Sequence, residues 1–236
     1  MNRSVLEWLL EEDQPAVRAQ VLTDLLDRSL NDSEVQEARA KILQRGWGAD
    51  ILAEQLPSGH WVWTESLYGP KYLASNWRLL VLADLGGTKD DPRIQRSAEL
   101  LRDEFAKPDG GFATPSRDEG HLCITGNTVR MLIQFGYESD PLVRQAQEWL
   151  LGEQREDGGW NCFEGPGTLD GWEALSAFAA IPARKRTRAV HEAVERGAAF
   201  YLERELHKEG RRYAPWFRMH YPVHYYYDLL VGLDIL

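Results

Sequence analysis

The sequence predicts an all-α protein, a ring of about five helical hairpins with one set of helices inside and another outside. Three observations carry that prediction. Helix starts are strongly punctuated, helical segments alternate between two kinds, and a glycine-aromatic loop signal returns along the chain. Asp91-Pro92 and Asp140-Pro141 each set a capping carboxylate before a proline at the first helical position, where no backbone N–H is needed. Asp13 ahead of Pro15, Asp32 before Ser33, and Thr168 mark further starts. No segment reads as a strand.

Taken in order, helices are expected over 3–12, 14–28 and 33–56, the last two forming the first pair and the first closing against the last inner helix. Segments 92–106, 141–154 and 187–206 place apolar residues at helical spacing, as in Ile94, Ala98, Leu101 and Phe105, or Val190, Val194, Ala198 and Tyr201. Charges fill their other positions, so these are outer helices with one buried stripe and one wet face. Segments 72–86, 123–136, 168–181 and 222–236 are apolar around most of their circumference and belong inside.

The loops between them carry the repeating signal. QLPSGHW ends at Trp61, KPDGGF at Phe112, QREDGGW at Trp160 and KEGRRY at Tyr213, spaced 51, 48 and 53 residues apart. The glycines permit a tight turn from an outer helix towards the next inner one. The tryptophan packs over that junction, and Gln154, near its helix end, is placed to hydrogen-bond otherwise orphaned loop backbone. A single domain over 1–236 is expected, with N-terminal helices to residue 56, hairpin repeats over 57–221 and a closing inner helix over 222–236.

Composition narrows the function. The net charge of −10 argues against a nucleic-acid partner. The basic run Arg184, Lys185, Arg186 and Arg188 reads as a solvated helix face. No apolar run approaches the roughly 18 residues that span a bilayer, and the N-terminus turns acidic before a signal-peptide core forms, so a cytoplasmic protein without a transmembrane segment is expected. Two cysteines, Cys123 and Cys162, are too few for a disulfide framework and read as free thiols or ligands.

Gln154-Arg-Glu-Asp157-Gly-Gly-Trp160 resembles the QW repeat of squalene and other terpene cyclases, whose α/α toroid is shared with the β subunits of protein prenyltransferases. The resemblance covers the chain from about Leu52 onwards and implies an α/α toroid with a central, aromatic-lined cavity for an isoprenoid or other apolar small molecule. It also has limits. The Asp-x-Asp-Asp acid motif of class II cyclases is absent, and Asp90-Asp91 stands directly before Pro92 as a helix start. Neither an Asp-Asp-x-x-Asp metal motif nor a glycine-rich phosphate loop occurs.

In such a ring, chemistry gathers where the inner helices begin. Asp170 and Glu173, three residues apart, share a helical face, and carboxylates on an apolar helix must be paired, ionised at the cavity mouth or protonated. Asp170 is the candidate acid. His224 and Asp228, four apart, read as an acid-base pair or as a satisfied buried pair. Trp63, Trp172 and Tyr225, among Trp61, Trp216, Tyr226 and Tyr227, offer ring faces for a carbocation, as the resemblance implies. Asn127, Arg130 and Gln134 form either a polar stripe into the cavity or a network between helices.

Cys123, Cys162, His121 and His220, with Asp170 and His224 nearby, supply donors suited to zinc, the one cofactor the sequence raises. The prenyltransferase resemblance implies zinc held by an aspartate and a cysteine near the start of one inner helix and a histidine on another. Asp170-Gly-Trp172 keeps the aspartate and has tryptophan where the cysteine belongs, so Cys123 or Cys162 would substitute. The plainer reading makes both cysteines small core residues. Three functions follow as expectations: a terpene-cyclase-like enzyme, a zinc-dependent or zinc-stabilised protein, and a toroid that binds a protein partner.

Overall fold

A computed structural model describes residues 3–209 and 213–236, and they are all-α. Pairing of the β type is confined, among the described residues, to the isolated bridges Ala106 to Phe112 and Trp160 to Thr168. Among the described residues no helix is long and apolar enough to cross a membrane. The chain divides into two compact units, Met1–Ser97 and Ala98–Leu236.

The first unit holds α1 (Arg3–Leu9), α2 (Pro15–Gln20) running into a π-helical turn over Val21–Leu25, α3 (Ser33–Lys41), α4 (Trp47–Ala53) and α5 (Ser75–Asp84). The Asp32 carboxylate accepts the Glu34 amide at 2.9 Å and starts α3 as the sequence predicts. The single helix expected over 33–56 is two. Gly46, at φ +68°, turns the chain between them, and the Gln14 side chain accepts the Trp47 amide at 3.3 Å. The helix expected over 72–86 is α5, an inner helix on which Trp77, Leu79, Leu80 and Leu82 are all buried.

The helix α6 (Pro92–Phe105) runs from the first unit into the second. The second unit continues with α7 (Leu122–Gln134), α8 (Pro141–Gly152), a 3-10 turn over Leu169–Gly171 leading into α9 (Glu173–Ala179), α10 (Arg188–Glu203), a 3-10 turn over Ala214–Phe217 and α11 (Leu229–Asp234). Outer-type α8 buries the stripe Val143, Ala146 and Leu150, and α10 buries Val190, Ala193, Gly197 and Phe200. Inner-type α7 and α9 are buried along almost their whole length. They cross so closely that a β-carbon on Gly126 would lie 2.6 Å from the Glu173 carbonyl carbon.

The closing helix expected over 222–236 is confined to Leu229–Asp234. Asp228 explains the difference. Its Oδ1 accepts the amides of Leu230 at 2.8 Å and Val231 at 3.0 Å, which makes it an N-cap and leaves Tyr225, Tyr226 and Tyr227 in irregular chain before the helix. The expected helix over 168–181 likewise resolves into the 3-10 turn and α9.

The glycine-aromatic junctions work as staples. The Trp61 indole donates to the Ile51 carbonyl at 2.7 Å and the Trp160 indole to the Leu150 carbonyl at 2.9 Å, each ten residues back. Gln55 donates to the Arg93 carbonyl at 3.0 Å, and Gln154 to the carbonyls of Gly158 at 2.8 Å and Ala193 at 2.9 Å. Each glutamine so ties its junction to the following outer helix. The middle junction has no glutamine at the matching position, Ala106, and Asp109 takes over. Its carboxylate accepts the amides of Gly111 and Gly120 and the Trp149 indole, at 3.1, 2.9 and 3.1 Å. The fourth signal, KEGRRY, has residues 210–212 outside the described residues, and Tyr213 is exposed.

Candidate functional site

Two junctions deliver the soft donors of the second unit to one place. His121 stands just ahead of α7, where its amide donates to the Phe112 carbonyl at 3.0 Å and its carbonyl accepts the Thr125 amide at 2.8 Å. Cys123 follows in the first turn, its sulfur 3.2 Å from His121 Nδ1. Cys162 comes from the loop after Trp160, a residue fixed by full burial and by its indole bond. The His121, Cys123 and Cys162 donor atoms lie within 4.8 Å of one another, and all three residues are half-buried.

The neighbouring Cys162 thiol, then burial and the nearby Glu173, hold the Cys123 thiol up, and Cys123 pulls the Cys162 thiol down. Burial, then Arg117, lowers His121. Both favour the neutral imidazole, the form that can ligate a metal.

Behind these donors sits Glu173, the first residue of α9. It is 1% exposed, and neither carboxylate oxygen has a hydrogen-bond partner. Desolvation raises it well above the usual carboxylate range, with the charge on Cys162 adding to the effect. Burial thus favours the protonated form of this carboxyl. Its neighbour Trp172 is buried, with the Arg130 guanidinium carbon 5.7 Å from the ring centroid. Arg130 bonds Asn127 at 3.5 Å, and Asn127 donates to the His224 carbonyl at 2.6 Å. The Trp172 indole donates to the Tyr225 carbonyl at 3.4 Å. Burial, then the charges of Arg130 and His220, lowers His224 to about 4.

The sequence-derived candidates thus separate. Glu173, Trp172, Asn127, Arg130, His224 and the Tyr225 backbone are linked, and the Asn127–Arg130 pair belongs to a network between chain segments. Gln134 is exposed and outside it. Asp170, expected on the same face as Glu173, is exposed and accepts the Trp216 indole at 3.3 Å. The 3-10 turn over Leu169–Gly171 breaks the helical register that the spacing assumed.

The His224–Asp228 pair does not form, because residues 224–228 are not helical. Asp228, fully buried, instead accepts from His220 Nδ1 at 2.7 Å and from the His220 amide at 3.0 Å. His220 is not part of the donor cluster of His121, Cys123 and Cys162. Trp63 lies in the first unit, exposed, with its indole bonded to the Gly69 carbonyl. Glu173 is the buried carboxyl of the two, for a reason visible in sequence, since Trp172 and Ala174 flank it while Asp170 adjoins Gly171.

No family model matches the chain. It is similar to the type B diterpene cyclase of Mycobacterium tuberculosis, 27% identical over 171 residues that make up 71% of this chain and 33% of that protein. The chain therefore spans about a third of the length of this curated relative. Among solved structures, the ent-copalyl diphosphate synthase from Streptomyces platensis aligns at a TM-score of 0.49 and 18% identity, over 85% of this chain and 39% of that one. A type II terpene cyclase from Scytonema in complex with geranylgeranyl dihydroxybenzoate aligns at 0.46 and 18%, over 82% and 54%. The terpene-cyclase resemblance read from the repeats is thus matched by the sequence comparison.

Proposed function

We propose that the chain is a terpene-cyclase-like protein that binds an isoprenoid or similarly apolar small molecule and protonates it from Glu173. In this reading residues 1–236 form a single α/α toroid of about five hairpins around an aromatic-lined cavity. The observation that carries it is Glu173 itself, a carboxyl buried at 1% exposure with no hydrogen bond to either oxygen. A group so placed holds its proton at neutral pH and is strongly acidic towards a base that enters the same dry site.

The chemistry balances without a second reactant. Glu173 adds its proton to one carbon of a substrate double bond, leaving a tertiary cation on the other. A second double bond attacks that cation and closes a ring. Loss of a proton from carbon then restores the alkene and returns the proton, so the product is an isomer of the substrate. The Trp172 ring stabilises the developing cation, and Arg130 offsets the carboxylate left behind. Asn127 keeps the Arg130 head oriented.

The test uses purified protein with C15 and C20 isoprenoid diphosphates and with squalene. Thermal protection by one of them, and a cyclic product of unchanged mass that Glu173→Gln no longer forms, are the expected results. Absence of both protection and product with every substrate would overturn the reading.

A further inference from the structure

We infer that His121, Cys123 and Cys162 form a binding site for a zinc-class divalent cation, with one coordination position left for water or an exogenous ligand. The inference is independent of isoprenoid binding. Two thiolates and a neutral imidazole are the donor set that selects a borderline-soft cation over magnesium or calcium. Their geometry is close to what such an ion needs. Tetrahedral coordination at ordinary zinc bond lengths places neighbouring donor atoms roughly 3.5–3.8 Å apart. Here Cys123 Sγ and His121 Nδ1 are 3.2 Å apart, and all three donors fall within 4.8 Å.

The frame is built before any ion arrives. His121 is fixed through its own backbone amide and carbonyl, Cys123 by the first turn of α7, and Cys162 by the buried Trp160 two residues earlier. Glu173 is a second, separate observation. It is buried beside them with no hydrogen-bond partner on either oxygen. The set also differs from the prenyltransferase arrangement raised by the sequence, since Asp170 is exposed and engaged with Trp216.

The experiment is elemental analysis of reduced, tag-free protein after exposure to zinc and removal of excess, paired with a cobalt titration. The expected result is about one zinc per chain. Cys123→Ser and Cys162→Ser lose it, and His220→Ala keeps it. The cobalt form shows thiolate-to-metal charge transfer and the intense visible bands of tetrahedral coordination, a readout on unaltered protein should a serine variant fail to fold. Folded, reduced protein that binds neither metal would overturn the site. So would full zinc retention in both serine variants, or a Cys123–Cys162 disulfide forming in air while added zinc offers no protection. Isoprenoid turnover plays no part in these readouts, so this site and the cyclase reading stand or fall separately.

Discussion

The junction at residues 154–160 and the corner around Glu173 lie close in sequence and treat buried polar groups in opposite ways. At the junction the Gln154 amide reaches two carbonyls, its oxygen accepts from Arg196 at 3.1 Å, and the Trp160 indole has the Leu150 carbonyl. Around Glu173 the helices approach as tightly, yet both carboxylate oxygens lack a hydrogen bond. A satisfied network adds rigidity, whereas an unsatisfied buried group costs stability. The contrast separates residues that hold the fold from residues kept in spite of it.

Substitutions test that division. Trp160→Ala breaks the satisfied side. It removes a fully buried ring and its hydrogen bond, and urea unfolding is expected to show a loss of about 3–5 kcal/mol. Glu173→Met should move the other way. It replaces an unsatisfied carboxyl with an apolar side chain of similar length, and the same assay is expected to show a gain of about 1–3 kcal/mol together with loss of any cyclase activity. A marked destabilisation would place Glu173 among the staples instead. Gln154→Ala is the mildest change, expected to cost about 1 kcal/mol and to speed amide exchange at Gly158 and Gly159.

Much of the fold was legible because its signals are local. Asp140-Pro141 marks the first residue of α8, and the capping bond from the Leu142 amide at 2.9 Å is the physical content of that signal. The bonds of Gln154 and Trp160 follow from a glutamine at a helix end and an indole over a glycine turn. Errors arose where one local cap overrode a long apolar pattern. Asp228 starts α11 six residues after Pro222, and Gly46 divides what periodicity reads as one helix.

The site was less legible, because it depends on packing between distant segments. Cys123 and Cys162 lie 39 residues apart and meet only through α7 and the junction loop. Spacing placed Asp170 with Glu173 and His224 with Asp228 on the premise of unbroken helices. A 3-10 turn undoes the first pair and irregular chain the second. Residue type pointed to the neighbourhood where His121, Cys123 and Cys162 meet, and tertiary structure chose the partners within it.

The glutamine latches have a consequence for how the chain is made. Gln55 closes on Arg93, 38 residues downstream, and Gln154 on Ala193, 39 residues downstream. On a ribosome each junction emerges before the outer-helix carbonyl that its glutamine will hold, Gln154 having only the Gly158 carbonyl of its own loop until residue 193 is made, so maturation proceeds in steps from the N-terminus. A message truncated between codons 158 and 193 would therefore yield a protein whose last finished turn lacks its outer-helix acceptor, an open end rather than a shorter, intact molecule.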